Sequence, residues 1–95
     1  MEIAELVTPK SVVSHLRSAS KKQALQDLAH HASGLAEISE RAIFDALLER
    51  ERLGTTGVGL GIAIPHAKLP ELDTLHGLFA RADTPIDFDS IDEQP

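Results

Sequence analysis

The chain has 95 residues, 42% of them apolar and 25% charged, with a formal net charge of −6 and no cysteine. That length allows one domain with a modest core, and the missing cysteine excludes disulfides, thiol catalysis and cysteine-based zinc sites. The negative charge, with three Phe and no Trp or Tyr, argues against nucleic-acid binding, which draws on basic patches and aromatic platforms, and suits a protein that meets a cationic partner surface.

The opening MEIAELVTPK carries Glu2 and Glu5 and no apolar run. It does not read as a signal peptide, no stretch reaches the length of a membrane span, and a cytoplasmic location is expected. Residues 2–7 can form a short helical turn stopped at Thr8-Pro9. Residues 11–16 (SVVSHL) are β-branched in character and read as a strand. Ser20 with Gln23 makes an S-x-x-Q capping box. Ala24, Leu25, Leu28, Ala29 and Ala32 then recur at helical spacing, which predicts an amphipathic helix over about 20–33 with Gly34 as its stop.

Ser39 caps a second helix, with Glu40 in the first turn, where the helix dipole favours an acid. Its buried stripe is expected to be Ala42, Ile43, Ala46 and Leu47. Arg50 and Arg52 fall in its last turn and Gly54 ends it. Gly54, Gly57, Gly59 and Gly61, four of the six glycines, fall within eight residues. Residues 62–64 read as a short buried strand broken by Pro65, with His66 immediately after. Residues 75–82 read as another buried strand. The acidic tail from Asp83 carries Ile86, Phe88 and Ile91 as anchors to the core. Two helices between a first strand and later strands predict an α+β fold layered on a mixed sheet.

Glycines cluster where backbone must take positive φ or let something approach closely, and successive amides in such a loop can make an anion-binding concavity. Thr55 and Thr56 add hydroxyl donors, Arg50 can grip a phosphate with two hydrogen bonds, and Gly57 and Gly59 contribute amides. An imidazole titrates near pH 6.5 and is nucleophilic at neutral pH. Together these parts point to phosphoryl transfer onto a histidine nitrogen. The run lacks the glycine spacing of a dinucleotide fingerprint and the G-K-[ST] ending of a P-loop. From spacing alone, the plainer reading is favoured, with the glycines as a tight helix-to-strand turn and His66 as a surface residue.

The run from Leu47 to Lys68, with its R-E-x-x-G-[ST]-T-G and G-I-A-I-P-H parts, resembles the active-site signature of phosphotransferase-system IIA domains of the fructose, mannitol and nitrogen type. The nitrogen-regulatory branch is nearest. The SKKQAL run from Ser20 to Leu25 resembles that family's first helix, and the TPIDFD run from Thr84 to Asp89 resembles a later family segment, so the likeness covers essentially the whole chain. It implies a three-layer α/β/α sandwich around a mixed sheet, with residues 1–95 as the N-terminal part of a IIA-type phosphocarrier domain. It further implies that His66 is phosphorylated by a small histidine-phosphocarrier protein, with Arg50 close to the phosphohistidine. The nitrogen-type resemblance implies a regulatory output in which phosphorylation state selects the target proteins. The alternative is a sugar-specific IIA component that passes phosphate to a IIB domain. Either is a carrier with a transient phosphohistidine and no cofactor. Nitrogen-type members often carry Asn where this chain has Leu60 and Gly where it has Ala67. The family domain also continues with a further strand, a second histidine and closing helices that do not follow Pro95. A 95-residue chain is therefore expected to be oligomeric or less stable than a longer relative.

Other polar groups carry plainer readings. His30 and His31 are adjacent on a helix and point about 100° apart, so they do not make an i, i+4 metal pair. His15 and His76 read as strand residues. Asp83, Asp87, Asp89, Asp92 and Glu93 lack the pattern of a calcium loop and read as a solvated acidic rim. No metal site is expected. Lys68, two residues after His66, reads equally as a phosphate contact and as a plain surface lysine.

Overall fold

A computed structural model describes residues 11–69 and 77–90 of the chain. Strand β1 covers Val12–Leu16, and helix α1 covers Lys21–Ala36. The expected cap forms at the start of α1, with the return bond of the box shifted one residue, to Ala19. Ser20 Oγ accepts from the Gln23 amide at 3.1 Å, and the Gln23 side chain reaches back to accept from the Ala19 amide at 3.1 Å. The expected stop at Gly34 does not hold. The helix continues to Ala36 and ends where Glu37 takes a left-handed φ of 58° and its amide donates to Ser33 O at 3.1 Å. Leu35 and Ala36 line the same apolar groove as Leu28 and Ala32. That burial outweighs the cost of an internal glycine, about 1 kcal/mol.

Helix α2 covers Glu40–Leu53, capped by the Ser39 hydroxyl accepting from the Ala42 amide, with Glu40 in its first turn and Arg50 and Arg52 in its last. It packs along α1. The buried core is Leu16, Ala24, Leu25, Ala29, Ile43, Phe44 and Phe88, with Leu28, Ala32, Leu47 and Ile86 packed partly buried against it. On α2, Phe44 joins Ile43 at the centre, whereas Ala42, Ala46 and Leu47 are half-buried. The rotation follows from the position of α1, which the periodicity of α2 alone does not contain.

Three further strands follow: β2 at Gly57–Gly59, β3 at Ile62–Ala63 and β4 at Phe79–Ala82. β1 pairs with β4 in parallel, Val12 opposite Phe79, and β2 pairs with β3 antiparallel. The described architecture is therefore α+β, with a helix pair, one parallel ladder and one antiparallel ladder. Two expected buried strands are corrected. Ile62 and Ile64 are 54% and 58% exposed, because among the described residues the β2–β3 hairpin pairs only with itself. β4 begins at Phe79, which is 58% exposed, and alternates between exposed and half-buried residues. The possible turn at residues 2–7, the start of the 75–82 reading and the Ile91 anchor lie outside the described residues.

The hairpin turn is Leu60-Gly61, with φ of 58° and 74°. Positive φ at both central residues is the arrangement that matches the twist of paired strands. At Gly57 the requirement is space: an added Cβ would lie 2.5 Å from Ser90 Oγ. The hairpin and the segment ending in Phe88 and Ser90 thus press together closely enough to exclude any side chain at that position.

Candidate functional site

The last turn of α2 and the chain leaving β3 converge on one shallow depression. Arg50 and Leu53 enter it from the helix, and His66, Ala67 and Lys68 from the segment after Pro65. Arg50 is set by its own helix end, where Nη1 donates to Gly54 O at 2.8 Å. That bond satisfies a C-terminal carbonyl and holds the guanidinium at the rim. His66 is exposed and follows a proline that ends the hairpin. On its other side runs the apolar groove of Leu28, Leu35, Leu47 and Leu69, so the imidazole stands between an apolar surface and a charged one made by Arg50, Lys68 and Glu49.

The ring is oriented by one contact. His66 Nδ1 lies 3.0 Å from Ile64 O. A carbonyl oxygen only accepts, so the nitrogen facing it carries the proton and donates. In the neutral ring the lone pair then resides on Nε2. The site therefore offers a nitrogen nucleophile in a depression shared with the Arg50 guanidinium and the Lys68 ammonium.

The remaining residues singled out for phosphate binding are placed elsewhere. Thr55 Oγ1 donates to Phe88 O and accepts from the Gly57 amide at 3.0 Å. Thr56 is buried, and both its hydroxyl and its amide donate to the Glu51 carboxylate, the amide at 3.0 Å. Gly59 is buried within β2. The structure thus brings Arg50, Lys68 and His66 together, and gives the threonine donors partners within the protein.

Sequence reasoning missed Glu51. It is buried in the last turn of α2, a place where the dipole favours cations, and that misfit is the signal that could have found it. Its partner is Lys21, whose Nζ lies 2.7 Å from Glu51 Oε2 and also donates to Phe88 O and to Asp89, both at 3.3 Å. Burial alone would raise the Glu51 carboxyl above the usual range. The Lys21 ammonium and the two Thr56 donors outweigh it and hold the carboxyl below that range. Burial would likewise lower Lys21, but Glu51 and Asp89 keep its ammonium above the usual lysine value.

Other titratable groups are engaged at the surface. His30 pairs with Glu40 at 2.8 Å, holding that carboxyl below the usual range, and His15 and Arg17 meet Asp83. Asp87 accepts from the Asp89 amide at 3.0 Å. Among the described residues no three metal-ligating side chains gather, and no helix is long and apolar enough to cross a membrane. His76, Asp92 and Glu93 lie outside the described residues.

The chain is similar in sequence and in fold to known proteins. The nitrogen regulatory protein of Bradyrhizobium diazoefficiens is 57% identical over 95 residues, covering the whole of this chain and 62% of that protein. The nitrogen regulatory protein of Escherichia coli is 40% identical over 97 residues, covering 59% of its own length. A fructose-specific EIIA component of Haloferax volcanii is 39% identical over 99 residues, covering 64% of its length. The crystal structure of the nitrogen regulatory protein IIA-Ntr from Neisseria meningitidis superposes with a TM-score of 0.91 at 31% identity, over 98% of this chain and 64% of that one. The chain thus spans about three fifths of the length of the relatives it matches. Residues 5–95 match the model of the phosphoenolpyruvate-dependent sugar phosphotransferase system, EIIA 2, and the chain belongs to that family.

Proposed function

We propose that the chain is a regulatory phosphocarrier of the nitrogen type, which takes a phosphoryl group on His66 Nε2 from a histidine-phosphocarrier protein and signals through its phosphorylation state in the cytoplasm. The observation that carries this reading is the hydrogen bond from His66 Nδ1 to Ile64 O, which leaves Nε2 as the nucleophile in the depression shared with Arg50. In the transfer, the Nε2 lone pair forms a bond to phosphorus as the donor's P–N bond breaks, and the donor ring keeps that electron pair. The His66 ring gains positive charge, which the Ile64 carbonyl stabilises through Nδ1–H. The Arg50 guanidinium faces the phosphoryl oxygens and offsets their charge. Lys68 adds a second positive charge at the same rim. The regulatory output rests on the nitrogen regulatory proteins among the relatives.

The test is incubation with labelled phosphoenolpyruvate, the enzyme that loads the carrier, and the carrier itself. The label is expected to be stoichiometric, acid-labile and base-stable, and lost in His66→Ala while the fold persists. Arg50→Lys is expected to slow uptake more than it lowers stability, because a point charge replaces a two-pronged grip. Full labelling of His66→Ala would overturn the assignment. The fructose-specific relative supports a second reading, a sugar-specific IIA component. Rapid passage of the label to a IIB domain would favour that reading.

A further inference from the structure

The bonds that hold His66 extend beyond the depression in which it stands. Ile64 O, which accepts from His66 Nδ1 at 3.0 Å, belongs to a residue whose amide donates to Thr56 O at 2.9 Å. Thr56 in turn gives its hydroxyl and its amide to the Glu51 carboxylate, and Glu51 is fixed by the Lys21 ammonium at 2.7 Å. The Glu51 side chain is 3% exposed, so it has no water to fall back on. Arg50 is the neighbour of Glu51 on α2, and its guanidinium is tied to Gly54 O, three residues before β2 begins.

We propose that Glu51 is the positioning residue of the phosphoryl site: with Lys21 behind it, it clamps Thr56 and through Thr56 and Ile64 fixes the ring and the tautomer of His66. The inference rests on the phosphocarrier reading for its activity arm only. A carboxylate suits the role because it accepts both Thr56 donors and the lysine at once. An amide at position 51 presents one acceptor oxygen and places an –NH2 against a donor. The clamp also explains why the threonine hydroxyls are not turned to the depression. They are the fasteners of the loop that carries the histidine.

The experiment compares wild type, Glu51→Gln, Thr56→Val and Thr56→Ser as full chains. Two readouts are taken: the His66 ring-nitrogen chemical shifts by ¹⁵N NMR, and the rate of phosphoryl uptake from the phosphorylated carrier. Expected in Glu51→Gln is a loss of the single Nδ1–H tautomer in favour of a mixture, with uptake slowed at least tenfold while helix content is retained. Thr56→Val is expected to shift both readouts in the same direction, and Thr56→Ser to restore them. A merely structural role would lower the melting temperature without moving the tautomer. A folded Glu51→Gln protein with the native tautomer and rate overturns the proposal. If Glu51→Gln does not fold, Thr56→Val with native ring shifts overturns it. If wild type takes no phosphate, the phosphocarrier reading fails, and the tautomer measurement still decides the role of Glu51.

Discussion

The helix pair and the β2–β3 hairpin are held by opposite means. Between α1 and α2, aliphatic side chains such as Leu25, Ala29 and Ile43 interlock, and each can be exchanged for another of similar volume at modest cost. The hairpin has exposed side chains at Val58 and Ile62, a turn of Leu60-Gly61, and a foundation of ionic and hydroxyl contacts from Glu51, Lys21, Thr55 and Thr56. A polar foundation of this kind is directional: every partner must be present at its own angle. The part that sets the orientation of the His66 ring is therefore built from bonds with angles, and the helix pair is built from packing.

Three measurements sharpen that contrast, in order of expected effect. Leu25 is 1% exposed at the centre of the helix pair, so Leu25→Ala is expected to cost about 2–5 kcal/mol, read by denaturant unfolding, with the His66 ring shifts unchanged until the protein melts. Acid is expected to act on the other region. A carboxyl held below its usual range contributes stability above about pH 4.3, the ordinary glutamate value, and loses it as pH falls through the lower value it has in the fold. Lys21, held above its usual range, contributes in the opposite window and loses its effect only as pH rises past about 10.4. Unfolding free energy should thus decline below about pH 4.3, and Glu51→Gln should flatten that decline. The smallest effect is a gain. Leu60 is 92% exposed with a φ of 58°, a region that strains a leucine and suits asparagine. Leu60→Asn is expected to add about 1 kcal/mol, raising the melting temperature by about 4–8 °C, without touching the helix pair.

What the sequence makes legible follows the same division. The S-x-x-Q box at Ser20, the Ser39 cap and the apolar spacing of α1 are local signals, and they place both helices. The end of α1 is missed because Leu35 and Ala36 are kept helical by a groove that local signals do not contain. His66 and Arg50 are legible as a pair from the resemblance, and the structure sets them in one depression. The partners of Thr55 and Thr56 are not legible: Phe88 lies 33 residues away from Thr55, and Glu51 reads in sequence only as the companion of Arg50. The strain at Leu60 is visible only once its left-handed φ of 58° is seen.

The parallel pairing of β1 with β4 has a consequence for the order of events in folding. His15 and Asp83 meet at 2.9 Å across a separation of 68 positions. The helix pair and the hairpin close over short stretches, but β1 must wait for almost the whole described chain before its partner exists. Closing so long a loop is slow, and the ladder it completes is late. During translation the Val12–Leu16 strand emerges before β4, as an edge without that partner, the kind of segment that captures other chains. His15 and Arg17 at its end join Asp83 in the finished fold, and until then the Arg17 charge makes the waiting strand a poor template for aggregation.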